Sequence, residues 1–298
     1  MLKDSWGIVI VTYNPDIKEF VDKLSVFSNL TANIVVVNNG KKIDLGKFNN
    51  YLVDLNGNKG IAYAQNVGFE KLFEENVELV FFFDQDSDVD QLFIKLMLNK
   101  WIELSKKDDK LSLISPQIID KDFGNTQIIY KMDSKGLSRV DLSKNRNMTV
   151  KDTIPISSGI LVSTISLHKI DGLDSSLFID WVDFDLDFKL KLAGFNIYST
   201  NAAYIKHAIG KKEKRKFFLK NIYPSNHAPF RDYYFARNGI FLIRKYGVKI
   251  PGLRKWVYRS LSIRLICLFY ENNKIKHIQS FFKGIYDSRK LGKGNKVV

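Results

Sequence analysis

The 298-residue chain concentrates its candidate chemistry in two runs of aspartate. The first is LVFFFDQDSD at Leu79–Asp88, where five apolar residues run straight into Asp84, Asp86 and Asp88. Carboxylates spaced D-x-D form a hard-oxygen site that can share a divalent cation with substrate phosphates. A solvated acidic turn capping the next helix is the plainer alternative. A calcium loop is excluded, because its sixth and twelfth positions require Gly and Glu and here hold Val89 and Lys95. The second run sets Asp180, Asp183, Asp185 and Asp187 among Phe178, Trp181, Phe184 and Phe188. Grouped carboxylates repel, so one pKa is pushed upward toward values useful for a general base. Capping and solvation explain one or two of the four, but not their crowding with large aromatics. His207, in AAYIKHAIG, follows a predicted strand. As a neutral imidazole it would complete a manganese or magnesium site beside Asp86; a structural histidine is the alternative.

The elements that must position these groups follow from apolar patterning. Leu79–Phe83 has no polar alternation, which predicts a strand buried on both faces of a helix-covered parallel sheet. Ligands bind beyond the carboxyl ends of such strands. Trp6–Tyr13, Asn33–Val37 and Tyr51–Leu55 read as further strands, each emptying into a turn of Asn, Asp, Gly or Tyr. Asn14 is expected to cap a helix over Asp16–Asn29, and a second helix is expected over Ile61–Glu74. A third runs from Asp88 to about Ser105, followed by a strand at LSLISP. Asp120–Thr153 reads as a polar, hairpin-rich excursion and Ile156–Thr164 as a strand. A helix from Val182 to Ala193 ends at Gly194 in the usual C-terminal position, before a strand over Phe195–Thr200. In that helix Asp183 and Asp187 share a face, with Asp180 in the capping region. Alternation of this kind argues βαβ units. G-x-G-x-x-G and G-x-x-x-x-G-K-[ST] are both absent, so a nucleotide would be held by scattered turn residues plus a metal.

Charge is unevenly divided. The net charge is +14, yet Lys206–Val298 holds 23 Lys/Arg against 4 Asp/Glu, while the preceding residues hold 23 against 28. Such a block suggests an anionic partner: a membrane surface, a polyphosphate or nucleic acid. Helices are expected over Phe230–Tyr246 and Leu253–Tyr270. LSIRLICLFY is too short and too charged to span a bilayer. Trp256, Tyr258, Leu261, Ile263, Leu265, Ile266, Phe269 and Tyr270, interleaved with Arg254, Lys255, Arg259 and Arg264, suit an interfacial helix or one packed on the core. The single cysteine, Cys267, excludes an internal disulfide and a multi-cysteine zinc site. With no secretory h-region at the N-terminus, a cytoplasmic protein is expected. The domain boundary is placed at residue 210: an α/β domain over 1–210 and a basic helical region over 211–298.

Eight stretches in order give a resemblance. They are VTYNPD (Val11–Asp16), VVVNNG (Val35–Gly40), NKGIAYAQNVG (Asn58–Gly68), FFFDQDS (Phe81–Ser87), ISSGILVS (Ile156–Ser163), GLDSSLFIDWVDFDLDFKLKLAGF (Gly172–Phe195), IKHAIG (Ile205–Gly210) and YYFARNGIFLIRKY (Tyr233–Tyr246). Together they resemble the inverting family-2 glycosyltransferases, bacterial rhamnosyltransferase branch. The resemblance implies the GT-A fold, a Rossmann-like, mainly parallel α/β sheet flanked by helices. It implies that Thr12, Tyr13, Asn14 and Asn38 line a nucleobase and ribose pocket, with Asn58, Gly60 and Asn66 beside it and Arg237 also on the donor side. Asp84 would face the ribose, Asp86 would bind Mn2+ or Mg2+ bridging the diphosphate, and Asp84 and His207 are further ligand candidates. Asp183 matches the catalytic base and Asp185 the acidic position after it, while Lys189 replaces an arginine. Asn38 stands where most members carry an aspartate, which leaves uracil and thymine open. Ser158, Gly159, Asp180 and Trp181 would lie on the acceptor side, the indole offering a stacking face for a sugar.

The expected protein is a metal-dependent inverting glycosyltransferase of bacterial surface polysaccharide synthesis, with dTDP-rhamnose favoured as donor. UDP-linked galactofuranose, glucose or galactose is the alternative within the class. A nucleic-acid-binding protein is the alternative outside it, though it leaves both aspartate runs unexplained. Expected partners are a nucleotide-sugar donor, a saccharide or undecaprenyl-diphosphate-linked acceptor, and lipid at the inner face of the cytoplasmic membrane. A homodimer is allowed and nucleic acid is not expected.

Overall fold

A computed structural model describes residues 6–120, 124–145, 147–207, 215–217, 220–224 and 227–292. They group into two compact units, the first formed by Met1–Lys131, Arg139–Phe178 and Val182–His207 and the second by Met132–Ser138, Ile179–Trp181 and Ala208–Val298. Up to His207 the chain runs through β1 (Trp6–Thr12), α1 (Ile17–Ser28), β2 (Ile34–Asn38), β3 (Leu52–Asp54), α2 (Ile61–Glu74), β4 (Leu79–Asp84), α3 (Gln91–Ser105) and β5 (Leu111–Asp120). It continues with β6 (Ile129–Asp133), β7 (Gly136–Val140), β8 (Thr149–Lys151), β9 (Thr153–Ile154), β10 (Leu161–Ser163), α4 (Thr164–Lys169), α5 (Val182–Leu192) and β11 (Asn196–His207).

Eight strands of the first unit form one sheet in the order β3-β2-β1-β4-β10-β5-β11-β8. The β1, β2, β3 and β4 strands are mutually parallel, as are β5 and β11. The β10 strand runs antiparallel to β4 and β5, and β8 antiparallel to β11. Burial on both faces explains the unbroken apolar runs. On one face Trp6, Phe27, Phe81, Phe83 and Phe93 form a continuous cluster, with Phe83 stacked on Phe27 at 5.4 Å and Trp6 edge-on to Phe81 at 5.7 Å. On the other, Val9, Val35, Val80 and Phe82 are equally buried, and α2 covers β1 and β2. A large, mostly parallel sheet flanked by helices is the GT-A-like α/β arrangement implied by the resemblance.

Local expectations change at several points: the strand expected over Phe195–Thr200 runs on as β11 to His207, and the one expected at LSLISP runs on as β5 to Asp120. Asp16, not Asn14, caps α1, its Oδ1 accepting from Glu19 N at 3.0 Å; Asn14 instead takes a left-handed conformation at φ 49°. The Ile156–Thr164 stretch is strand only over β10, because Ser157–Ile160 turns and Thr164 already begins α4. The second unit holds one helix more than expected: α6 (Pro229–Tyr246) and α7 (Leu253–Leu268) are followed by α8 (Lys274–Asp287).

Candidate active site

The carboxyl ends of β1, β2, β3 and β4 share one edge of the sheet, and a cleft of about 490 Å³ opens there. Its lining is Tyr13 and Asn14 after β1, Gly40, Lys41 and Lys42 after β2, and Asn56, Gly57 and Asn58 after β3. The volume is that of an ordinary small-molecule site. Side chains tie the three turns together. Asn14 Oδ1 accepts from Lys41 N at 3.0 Å. Asn39 donates to Asn58 Oδ1 at 3.2 Å and accepts from Lys59 N at 2.6 Å.

Thr12 and Asn38 lie beneath this cleft and do not line it. Both are fully buried. Asn38 donates to Lys41 O at 2.8 Å and accepts from Gly40 N at 3.2 Å, so its amide shapes the 39–41 loop and is not presented to a base edge. Asn66 is likewise spent elsewhere. Its amide exchanges hydrogen bonds with Leu173 N and O at 2.8 and 2.9 Å, fastening α2 to the loop before α5. Gly60 supports the cleft from behind at φ 90°, where a Cβ would come within 2.7 Å of the Phe178 backbone. That approach lets Ile61 N reach Phe178 O at 2.7 Å.

The D-Q-D turn adjoins the cleft through a residue that sequence reading passed over. Gln85 Oε1 accepts from Tyr13 N at 2.7 Å, and Gln85 O accepts from Lys23 Nζ at 3.4 Å. The turn is closed by Ser87 N donating to Asp84 O and Asp84 N donating to Ser87 Oγ, both 3.0 Å. Asp84 is thereby half-buried at the strand end and Asp86 exposed at the corner. On the far side of β4, Gly159 N donates to Phe82 O at 2.8 Å, which sets Ser158 and Gly159 at the same edge. Ser158 is buried, and its hydroxyl has no partner among the described residues.

The second acidic run reaches this edge by topology. The α5 helix leads through a tight turn at Gly194 into β11, so it runs antiparallel to that strand and its N-terminus lies toward the strand's carboxyl end. Phe184 packs beside Pro116, Ile118 and Ile156, near the carboxyl end of β5 and the turn before β10. Asp183 is half-buried in the first turn of α5, whereas Asp185 and Asp187 are buried. Burial, reinforced by the charge of Asp183, pushes Asp187 well above the usual carboxylate range, as the sequence led one to expect of one member. Asp187 Oδ2 has no hydrogen-bond partner among the described residues. Lys189, in place of an arginine, holds the carbonyls of Asp171 and Gly172.

Two of the residues expected on the acceptor side belong to the second unit. Trp181 is 6% exposed, with Nε1 donating to Phe235 O at 2.9 Å and its ring against Phe235 and Trp256. Covered in this way, the indole offers no face to a sugar, and that expectation is withdrawn. Asp180 is paired with Arg231 at 2.7 Å. Both Asp180 and Trp181 are left-handed, at φ 62° and 67°, a costly state for bulky side chains. Asn238 holds them there, donating to Ile179 O at 2.8 Å and Asp180 O at 3.0 Å. Arg237 lies 4.6 Å over the Tyr234 ring in the same unit.

The candidate metal ligands are Asp84, Asp86 and His207. The His207 backbone ends β11 opposite Asp120, and its side chain lies outside the described residues. Among the described residues, no group of three or more His, Cys, Asp or Glu is placed to hold a metal ion. Asp84 and Asp86 nevertheless fit an ion such as Mg2+, which is held by one or two carboxylates and takes its other ligands from water and phosphate.

No protein-family profile matches the chain. A curated relative does: dTDP-rhamnosyl transferase RfbF of Shigella flexneri is 30% identical over 289 residues, covering 93% of this chain and 94% of the relative. Similarity carried across nearly the whole of both proteins, on a sheet whose carboxyl edge holds the cleft, shows that the chain belongs to the rhamnosyltransferase-like glycosyltransferases.

Proposed function

We propose that the protein transfers L-rhamnose from dTDP-rhamnose to a saccharide acceptor in bacterial surface polysaccharide synthesis, inverting the anomeric centre. The observation that carries this reading is the near-full-length similarity to a dTDP-rhamnosyl transferase. The cleft supports it. Tyr13, 53% exposed, offers a ring for the base, and Lys41 and Lys42 bring two cations to a site that takes a diphosphate. With Asn38 buried, the base edge meets the Gly40–Lys42 loop.

Asp183 acts as general base. It accepts the proton of an acceptor hydroxyl while that oxygen attacks the anomeric carbon from the side opposite the diphosphate. The bond to the diphosphate breaks as the new glycosidic bond forms, so a single displacement inverts the centre. A positioned base supplies roughly 10²–10⁴-fold. Asp86, with Asp84 and His207 as further candidates, would hold Mn2+ or Mg2+, which when bound offsets charge on the departing diphosphate. Ser158 and Gly159 take the acceptor side, and an undecaprenyl-diphosphate-linked saccharide is the acceptor proposed.

The test is a donor panel of dTDP-rhamnose and UDP-linked galactofuranose, glucose and galactose, assayed with manganese or EDTA. Turnover of dTDP-rhamnose, an inverted product by NMR and loss of activity in EDTA are expected. Turnover of a UDP-sugar alone rejects the donor, and full activity in EDTA rejects the metal. Asp183→Asn should lower kcat about 10²–10⁴-fold with donor affinity kept; weakened donor binding at normal turnover would contradict its role.

A further inference from the structure

In the second unit α8 has two unlike faces. His277, Phe281, Gly284 and Asp287 are buried. Gly284 brings α8 so close to α6 that a Cβ would collide with Tyr233 O. His277 Nδ1 lies 2.5 Å from Asp232 Oδ2 on α6. These contacts fix the helix rotation. The opposite stripe then presents Ile275, Phe282 and Tyr286, which are 68%, 53% and 63% exposed. Spacings of seven and four place the three on one line along the helix. Lys276 and Lys283 run beside it as exposed neighbours of Ile275 and Phe282, and neither makes an ion pair among the described residues. Arg289 extends the basic row, its guanidinium 4.2 Å over the Tyr286 ring.

Single exposed apolar residues are ordinary on a soluble surface. A line of three large ones flanked by exposed lysines is the pattern of a helix lying in a membrane interface. We infer that the outward face of α8 docks on an anionic lipid surface, with Ile275, Phe282 and Tyr286 entering the boundary between headgroups and acyl chains and Lys276 and Lys283 meeting lipid phosphates. The sequence left α7 as an interfacial helix or one packed on the core, and in the fold it keeps Tyr258 and Ile263 exposed while Trp256, Leu261 and Arg264 make core contacts. On α7, Leu261 is buried, Trp256 packs against Trp181, and Arg264 is committed to Asp232 and Glu271.

Charge complementarity selects the occupant. Residues 206–298 carry 23 Lys/Arg against 4 Asp/Glu, which attracts anionic headgroups and repels a second copy of the same face. A polyanion such as nucleic acid would use the lysines and leave Ile275 idle. Among the described residues no helix is long and apolar enough to cross a membrane, so the contact is peripheral. The inference is independent of the donor and base assignments, because binding is read without sugar transfer.

The test is co-sedimentation of the full-length protein with phosphatidylglycerol-containing vesicles and with phosphatidylcholine vesicles. Two variants are compared, I275S/F282S/Y286S and K276E/K283E, with melting temperature and circular dichroism confirming that each folds. Wild type should sediment with the anionic vesicles only, and each variant should lose at least about tenfold in partition. Failure of wild type to bind anionic vesicles overturns the inference. So does a serine variant that binds like wild type while the glutamate variant does not, which marks a purely electrostatic polyanion surface. A fall in oligomer mass on serine substitution also overturns it, since the face would then cover a second copy.

Discussion

Asp183 and Asp187 lie one helical turn apart on α5 and meet different fates. Asp183 is half-buried, while Asp187 is 2% exposed and pushed well above the ordinary carboxylate range by burial and by its neighbour's charge. A protonated Asp187 keeps a second negative charge away from the proposed base. An unfolded aspartate titrates near 3.9, so between that value and the higher folded one the native state alone retains the proton. Asp187 therefore contributes most below about pH 3.9, and its contribution falls as pH rises toward the folded pKa. Asp187→Asn removes the titration. Its melting temperature relative to wild type should rise as pH increases from about 4 toward the raised folded pKa. Curves that stay parallel across that range would show that Asp187 does not titrate this way.

At the scale of elements, one carboxylate joins three strands at the edge away from the cleft. Asp108 precedes β5 and accepts from Asn196 Nδ2 at 2.8 Å and Tyr198 Oη at 2.6 Å on β11, and from Lys151 Nζ at 3.0 Å on β8. Burial opposes its charge, but these donors, with Lys110 N, hold Asp108 well below the usual carboxylate range. Its stabilisation is complete above the unfolded pKa and is lost as pH falls toward the depressed one. Asp108→Asn should cost about 1.5–3 kcal/mol at pH 7 and distinctly less at pH 3, measured by urea unfolding. An equal cost at both values would point to lost packing instead of lost charge.

At the scale of the whole molecule, the second unit carries the chain's net positive charge and locks its helices with a buried ionic network. Asp232 on α6 meets Arg264 of α7 at 2.6 Å and His277 of α8 at 2.5 Å, and Arg264 also reaches Glu271 at 2.8 Å. Removing one partner from such a set leaves a buried charge uncompensated. Asp232→Ala should cost about 3–5 kcal/mol, seen as a lower denaturation midpoint. A change below about 1 kcal/mol would place the network among those that contribute little. The same packing explains why point variants test the lipid face better than truncation after Tyr246, which would strip α8 from α6 and unmake the surface under test.

Much was legible from pattern alone. Apolar runs located β1, β2, β4 and the helices α2, α3 and α5 to within a residue or two at most ends, because burial on both faces of a sheet leaves no room for polar alternation. The same runs pointed to the edge on which Tyr13, Asn14, Asn58 and Asp84–Asp86 now stand. What the sequence could not rank was the depth of each side chain. Asn38, Asn66 and Trp181 carry groups that recognise ligands as readily as they satisfy a fold. Only the tertiary contacts decided that their hydrogen bonds are spent on loop backbone and on Phe235. Gln85 shows the converse: its partner, Tyr13, lies 72 residues away, beyond the reach of any local pattern. The composition set the charge of the C-terminal part, but the close packing of Gly284 against α6 determined which apolar residues of α8 were left facing water.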